Sequence, residues 1–459
     1  MHYPWWYVPG LTAPMLIAII AVVHVFVSHY AVGGGILLAL ENRFAIKTKD
    51  GAYRDYWYKH ARFFVLLTVA FGAITGVGIW WTIALASPLA TEKLIRMFVF
   101  GWAIEWVFFI VEIVAAFIMY YFWTKLPEKT HIVIAWIYAA CAWISLVLIT
   151  GITAFMLDSR GLFANWSETG NFWHAFFNVQ FLPQMIARTG GAILLAALYV
   201  FLHAAWVYRN DLQNPLFEKI VRRMAKPLLF GIVTILLGVL WSCTILPETA
   251  YITIERSVLL VVLATLFFGI GAIVTALIVF GPLLNPKSIN LGFAVSIFVL
   301  SLTALSVIEF AREAVRKPWI VDQIVLGNQI IISGKEIPVF AQSGRPIDPD
   351  KPDKVFANEI AYRQEMGFLQ PSELLPIPED KLECGGMIFM YHCNNCHALD
   401  HGMSAVGPLL YGESKEKIAE KIRHLNQPVL SMPPWCGTED ELDALAEFLV
   451  SIRSKPASP

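Results

Sequence analysis

Apolar residues run for about 20 positions with few charged interruptions eight times along this chain, near 14–40, 61–86, 97–123, 132–156, 182–208, 228–247, 257–281 and 290–312. A helix of about 20 residues, rising about 1.5 Å per residue, crosses the roughly 30 Å of bilayer hydrocarbon and satisfies its own backbone polar groups there. The pattern therefore predicts an all-α fold, a polytopic membrane helix bundle of about eight transmembrane helices followed by a small helical domain. No short charged segment leading into an apolar core and a small-residue cleavage site precedes the first run, so that run is expected to stay as a helix. After Trp319 the pattern breaks off. Residues 320–380 are polar and Pro-rich ("SGRPIDPDKPDK") and are expected to form an extracytoplasmic linker wrapped on the membrane domain. The chain thus divides at 1–319, 320–380 and 381–459.

Composition agrees, with 57% hydrophobic and 15% charged residues among 459. The net charge of −1 gives no hint of a nucleic-acid partner. Lys and Arg set the orientation. Arg43, Lys47, Lys49, Arg54, Lys59 and Arg62 crowd the first connection, Lys125 and Lys129 the third, and Arg209, Lys219, Arg222, Arg223 and Lys226 the fifth. The second, fourth and sixth connections are poor in them, so the positive-inside rule places both termini outside.

The centre of the C-terminal segment reads "MYHCNNCHALDHG". Cys393-x-x-Cys396-His397 is the spacing of c-type haem attachment, in which two thiols take the vinyl groups and the adjacent imidazole takes the iron. Alone, the motif is also compatible with a zinc half-site or a redox pair. Farther on stand "GPLL" (Gly407 to Leu410), "SMPPW" with the thioether of Met432, and a closing helix expected at 438–453. Together these resemble a class I cytochrome c domain, which implies one covalent haem c with His397 and Met432 as axial ligands. Haem c is attached outside the cytoplasm, in agreement with the charge-derived topology. Of the other cysteines, Cys141 and Cys243 read as small core residues of apolar helices. Cys384 and Cys436 flank the haem motif in an oxidising compartment, where a bridge and two separate thiols stand as even alternatives.

Two carboxylates, Glu105 and Glu112, lie in the run "WAIEWVFFIVEIV" with no basic residue in it. Ionisable groups within a membrane usually face a cavity, a partner or a cofactor. Seven residues apart, the two share one helix face about 10 Å apart. One reading makes them hydrogen-bonded packing acids, the other a metal or haem ligand and a proton relay. In the first run, "AVVHVFVSHYAVGGGILLALE", His24 lies about 15 Å below the outer end and Glu105 about 12 Å below the end of its own helix, the same layer. His29 is turned roughly 140° from His24 and reads as structural or as part of a second site.

The first helix with its closing "LLALENRF", the third with "IEWVFFIVE", and "EAVRKPWIV" (Glu313 to Val321) resemble subunit I of cytochrome bd-type quinol oxidases, whose eighth helix ends in Glu-x-x-Arg-x-Pro-Trp. The resemblance covers residues 1–321. It implies a bacterial inner-membrane protein paired with a second bd-like membrane subunit and other respiratory subunits, embedded in lipid and holding haem b and/or haem d. It further implies that His24 is an axial haem ligand, Glu105 the acid beside that haem, Glu112 the acid leading protons inward, and Glu313 the carboxylate bound to or beside a high-spin b haem. The spacing from Glu105 to Glu112 is one residue shorter than in the family.

Other departures concern electron entry. Where the family's fifth helix has a His ligand for a low-spin b haem, "PQMIARTGGAILL" offers Arg188, and where the seventh has Met, "TIERSVLLVV" offers Arg256 and then Val258. The connection "LPETAYITIERS" is too short for a long quinol-binding loop, and a haem c segment stands in place of a ninth helix. The expectation is a chain that takes electrons from an extracytoplasmic cytochrome or redox donor at haem c and passes them to buried haems, where oxygen is reduced to water. Arg188, Arg256, Arg312 and Arg316 are then candidates to bind haem propionates, against the alternative of snorkelling at the interface. An electron-transfer anchor of a larger respiratory complex, and a quinol:cytochrome c reductase, stand as alternatives. No helix offers the His cluster of a haem-copper oxidase.

Overall fold

The computed structural model describes residues 7–331, 367–369, 378–425 and 432–452. Most of the expected linker, including "SGRPIDPDKPDK", lies outside the described residues. Eight helices are long and apolar enough to cross a membrane: α1 (Ala13–Thr48), α2 (Gly51–Ala86), α3 (Val99–Tyr121), α4 (Glu128–Leu157), α5 (Phe181–Val207), α6 (Pro215–Thr244), α7 (Val258–Leu283) and α8 (Leu291–Val315). An even number returns the chain to the face where it began. That N-terminal face carries the start of α1, the end of α8 and the C-terminal domain, while the opposite face carries most of the Lys and Arg side chains.

Helix α1 is the centre, packed against α2, α4, α5 and α8. Its triple glycine explains how. A Cβ on Gly33 would overlap the Ala192 carbonyl of α5, one on Gly34 the Phe64 ring of α2, and one on Gly35 the Tyr138 ring of α4. Three consecutive positions point to three neighbours, and all three neighbours come closer than a methyl group allows.

Several helices run farther than their apolar stretches at the basic face, because the polar ends find partners there. Glu41 on α1 accepts from the Tyr53 hydroxyl of α2 at 2.6 Å and from both prongs of Arg223 of α6 at 2.6 and 2.9 Å. The Arg223 guanidinium also covers the Phe44 ring at 3.5 Å. Next to it, Asn42 donates to His131 of α4 at 2.9 Å, and the other nitrogen of that ring donates to the Met119 carbonyl of α3 at 2.9 Å.

Asp50 completes this clasp by accepting from the Tyr53 amide as the cap of α2 at 3.0 Å and from Lys219 of α6 at 2.5 Å. The Lys219 bond, then the amide, hold its carboxyl below the ordinary aspartate value. Asp50→Ala is expected to cost about 1–2 kcal/mol, read as a lower thermal midpoint in detergent. Because the folded pKa is depressed, the contribution is complete above the ordinary aspartate pKa and is lost as pH falls through the lower folded value. The difference between the wild-type and variant midpoints should close there.

At the N-terminal face, β1 (Trp319–Val321) and β2 (Val325–Leu326) form an antiparallel hairpin. The sequence reading began a polar linker here, but "IVDQIVLGNQII" is apolar enough to pack, and Val321 and Val325 are fully buried with Phe98, Phe155 and Trp166. Its one carboxylate, Asp322, accepts from the amide and hydroxyl of Ser159 at 2.9 and 3.0 Å. The C-terminal domain contains α9 (Lys381–Ile388), α10 (Lys415–Arg423) and α11 (Glu439–Ile452) around Ile388, Phe389, Leu442, Leu445 and Leu449.

Candidate functional site

Helix α9 widens through Phe389–Cys393 and then turns over residues 394–396, which brings Cys393, Cys396 and His397 to one loop. The Nδ1 of His397 lies 2.8 Å from the Ser404 carbonyl. A carbonyl only accepts, so Nδ1 carries the proton and Nε2 presents its lone pair, the arrangement an iron ligand needs. Burial pushes this imidazole below its ordinary value, which keeps it neutral. Burial, and then the neighbouring Cys396, push the Cys393 thiol up to about 12. Among the described residues no group of three His, Cys, Asp or Glu gathers for a bare metal ion. Met432 is half-buried at the start of the segment leading to Cys436. No disulfide joins Cys384 to Cys436; the buried Cys436 thiol donates to the Pro434 carbonyl at 3.4 Å.

The loop rests on the bundle. The Ala13 amide, at the start of α1, donates to the Asn394 carbonyl at 3.1 Å. Gly327, just after β2, donates to the Pro318 carbonyl at 2.7 Å, and a Cβ on it would stand 3.3 Å from the Asn395 side-chain nitrogen and 4.0 Å from Cys396 Sγ. The Gln329 side chain donates to the Tyr391 carbonyl at 2.9 Å. The Cys393–His397 loop is thereby fixed against the start of α1 and the segment that follows α8.

Within the bundle, His24 Nδ1 lies 3.0 Å from Thr75 Oγ1 of α2. The single hydroxyl proton of Thr75 is directed to the Phe71 carbonyl at 2.9 Å. With that proton on the carbonyl, the hydroxyl accepts from His24 Nδ1 and Nε2 is left as a lone-pair donor. His24 and Glu105 are not bonded to each other. Helix α2 stands beside both: its Thr75 takes His24, while its Trp80 packs edge-on at 4.9 Å against Trp102, three residues before Glu105. Glu105 makes no hydrogen bond to a described residue, and Glu112 accepts from the Tyr138 hydroxyl of α4 at 3.1 Å.

A third group occupies the last turns of α8. Arg312 bonds Glu309 at 3.1 Å and Glu313 at 2.8 Å, and Arg316 bonds Glu313 and donates to the Ile320 carbonyl at 2.7 Å. Glu309 also interacts electrostatically with Arg188 of α5 and His29 of α1. Two guanidiniums, those of Arg312 and Arg316, bond the two carboxylates, and the buried Nε of Arg316 and Nδ1 of His29 have no partner among the described residues. Such a cluster has donors left for a further anion, as a haem propionate requires.

The structure thus gathers Arg188, Arg312, Glu313 and Arg316, but Arg256 is exposed at the end of the short helix Glu248–Arg256 and joins none of these bonds. Glu309 was missed, although the repeat E-x-x-R-E-x-x-R over Glu309–Arg316 signals a helical ladder. Thr75 and Tyr138 were missed because nothing in their local sequence marks them.

A family model described as cytochrome bd terminal oxidase subunit I matches residues 13–251. Among solved structures, that titled "The structure of bd oxidase from Geobacillus thermodenitrificans" is similar, with a TM-score of 0.58 and 16% identity, covering 68% of this chain and 89% of the other. No curated protein matches the chain.

Proposed function

The chain belongs to the cytochrome bd terminal oxidase subunit I family, a family of haem-binding respiratory membrane oxidoreductases, and from that premise we propose that it takes electrons at haem c from an extracytoplasmic cytochrome or similar donor and reduces oxygen to water within the bundle. The observation that supports this reading is the seating of the Cys393–His397 loop against Ala13, at the start of α1, and against Gly327, which bonds the Pro318 carbonyl just past the end of α8. Cys393 and Cys396 would hold haem c, His397 and Met432 its iron, His24 a haem in the bundle with Glu105 as the acid beside it, and Glu313 a high-spin b haem, with Arg188, Arg312 and Arg316 toward propionates. When bound, these groups supply one-electron transfer and oxygen binding. Thr75 keeps the ligating nitrogen of His24 free, and Tyr138 holds Glu112 in place for proton supply. Arg256, exposed as it is, has no part in this.

In this reading the protein lies in a bacterial inner membrane with the C-terminal domain outside. The apolar side chains exposed along α3 and α7, such as Trp106, Val258 and Phe280, face lipid, a second bd-like subunit and other respiratory subunits. The connection from α6 to α7 is a compact helix, Glu248–Arg256, with no long loop to cover a quinol. Supplied in turn with reduced cytochrome and with a short-chain quinol, the purified complex should consume oxygen only with the cytochrome. Uptake with quinol alone would overturn the reading, and no uptake with either, haem c being reduced, would leave an electron-transfer anchor.

Thr75→Val keeps the shape and removes the acceptor that fixes His24. It is expected to shift the absorption bands of the membrane haem and lower its occupancy by roughly 10–100-fold in affinity, without changing the covalent haem spectrum.

A further inference from the structure

A second line of polar side chains, none of it used above, runs inward from the basic face. His203, near the end of α5, is half-buried, whereas His60 of α2 and Tyr30 of α1 are fully buried. His203 Nδ1 lies 3.2 Å from His60 Nδ1, and His60 Nε2 lies 2.9 Å from the Tyr30 hydroxyl. One more bond sets the direction. The Tyr56 hydroxyl lies 3.0 Å from the Val200 carbonyl, which can only accept, and 3.3 Å from His203 Nδ1; with its proton on that carbonyl, the hydroxyl accepts from His203. In that arrangement His203 carries its proton on Nδ1, shared with Tyr56 and His60. His60 accepts on Nδ1, carries its own proton on Nε2, and donates it to Tyr30. Every donor in the row points from the basic face into the bundle.

We propose that His203, His60 and Tyr30 form a proton wire from the inner surface toward Glu112. This rests on the reading that the bundle consumes protons. A proton arriving on His203 Nε2 makes a new N–H bond there as the Nδ1–H bond breaks toward His60. His60 gains that proton on Nδ1 and releases the one on Nε2 to the Tyr30 oxygen, which releases its own proton onward. One proton enters, one leaves, and no electron moves. Imidazole suits the middle position because its two nitrogens allow a proton to be taken on one side and given on the other. Tyr30 packs edge-on against Phe64 at 5.1 Å, and Phe64 against Tyr138 at 5.4 Å, whose hydroxyl holds Glu112 at 3.1 Å. The wire proposed here ends at the Tyr30 hydroxyl, with the Phe64 ring between Tyr30 and the tyrosine that holds Glu112.

The test uses the intact complex in vesicles, with reduced cytochrome as donor, an oxygen electrode and a pH dye on the side of the basic face. Tyr30→Phe keeps the ring against Tyr199, 4.1 Å away, and removes the relaying oxygen; His60→Gln can bond both neighbours but cannot pass a proton between its ends. Both are expected to slow proton uptake and turnover at least about tenfold, to enlarge the solvent deuterium isotope effect, and to leave haem content and the rate of haem reduction unchanged. Tyr56→Phe, which only releases the orientation of His203, should enlarge the isotope effect with a smaller fall in rate. Wild-type rates and isotope effects in Tyr30→Phe and His60→Gln, with oxygen uptake intact, overturn the wire and leave the oxidase reading standing. No oxygen uptake in the wild type, with haem c reduced, overturns both.

Discussion

Glu112→Gln is expected to lower donor-driven oxygen uptake by roughly 10²–10⁴-fold, the usual worth of a positioned proton-transfer group, with haem content unchanged. The amide has the shape of the carboxyl and still offers an oxygen to the Tyr138 hydroxyl, which stands 3.1 Å from Glu112, so packing and assembly have little to lose. What it cannot do is take up and release a proton. Glu105→Gln separates the same alternatives more sharply. Glu105 has no hydrogen-bond partner among the described residues, so a purely structural acid there would gain stability on being made neutral, since an ionisable group within a membrane costs several kcal/mol. A catalytic acid would instead lose turnover. Wild-type uptake in both variants refutes the catalytic reading of the pair.

The second large effect concerns entry of electrons. Cys393→Ser with Cys396→Ser is expected to abolish covalent haem, seen as pigment that no longer stays with the polypeptide after acid–acetone extraction, and to bring donor-driven uptake to background. A small chemical reductant should still reduce the membrane haem of this variant, which shows that the bundle has assembled. Met432→Ala keeps the covalent bonds and should move the midpoint potential and the reduced spectrum, because the thioether is the ligand that raises the potential. An unchanged spectrum would remove Met432 from the iron. Pigment retained in the double serine variant would place the covalent haem elsewhere.

Much of the bundle was legible because lipid imposes a single rule on long segments, that backbone polar groups be satisfied within the helix. The eight spans followed from that, and so did the return of both ends to one face. Helix ends were less legible, since α1 runs on to Thr48 and α6 begins at Pro215 for reasons that lie in cross-helix pairs such as Glu41 with Arg223. The site divided in the same way. Residues that carry a charge into an apolar run, Glu105, Glu112 and Arg188, stand out in sequence. Residues whose role comes from who sits opposite do not: Thr75 matters through His24, and Tyr138 through Glu112. His60, next to Lys59 at the edge of a run, gained meaning only from α5, which brings His203 against it. Arg256 stands apart, because its place where the family's seventh helix has Met put it with the other arginines, while its side chain is exposed at the end of the short helix Glu248–Arg256.

The central claim is that electrons enter at the Cys393–His397 loop and continue into the bundle beneath it. Anaerobic stopped-flow mixing of the purified, oxidised complex with reduced cytochrome tests it directly by following the covalent and membrane haem absorption bands together. The account predicts that the covalent band rises first and the membrane bands follow at a rate independent of donor concentration, with the second phase absent in the Cys393→Ser, Cys396→Ser variant. Membrane bands that rise without the covalent one, or that never rise once it is complete, would contradict it.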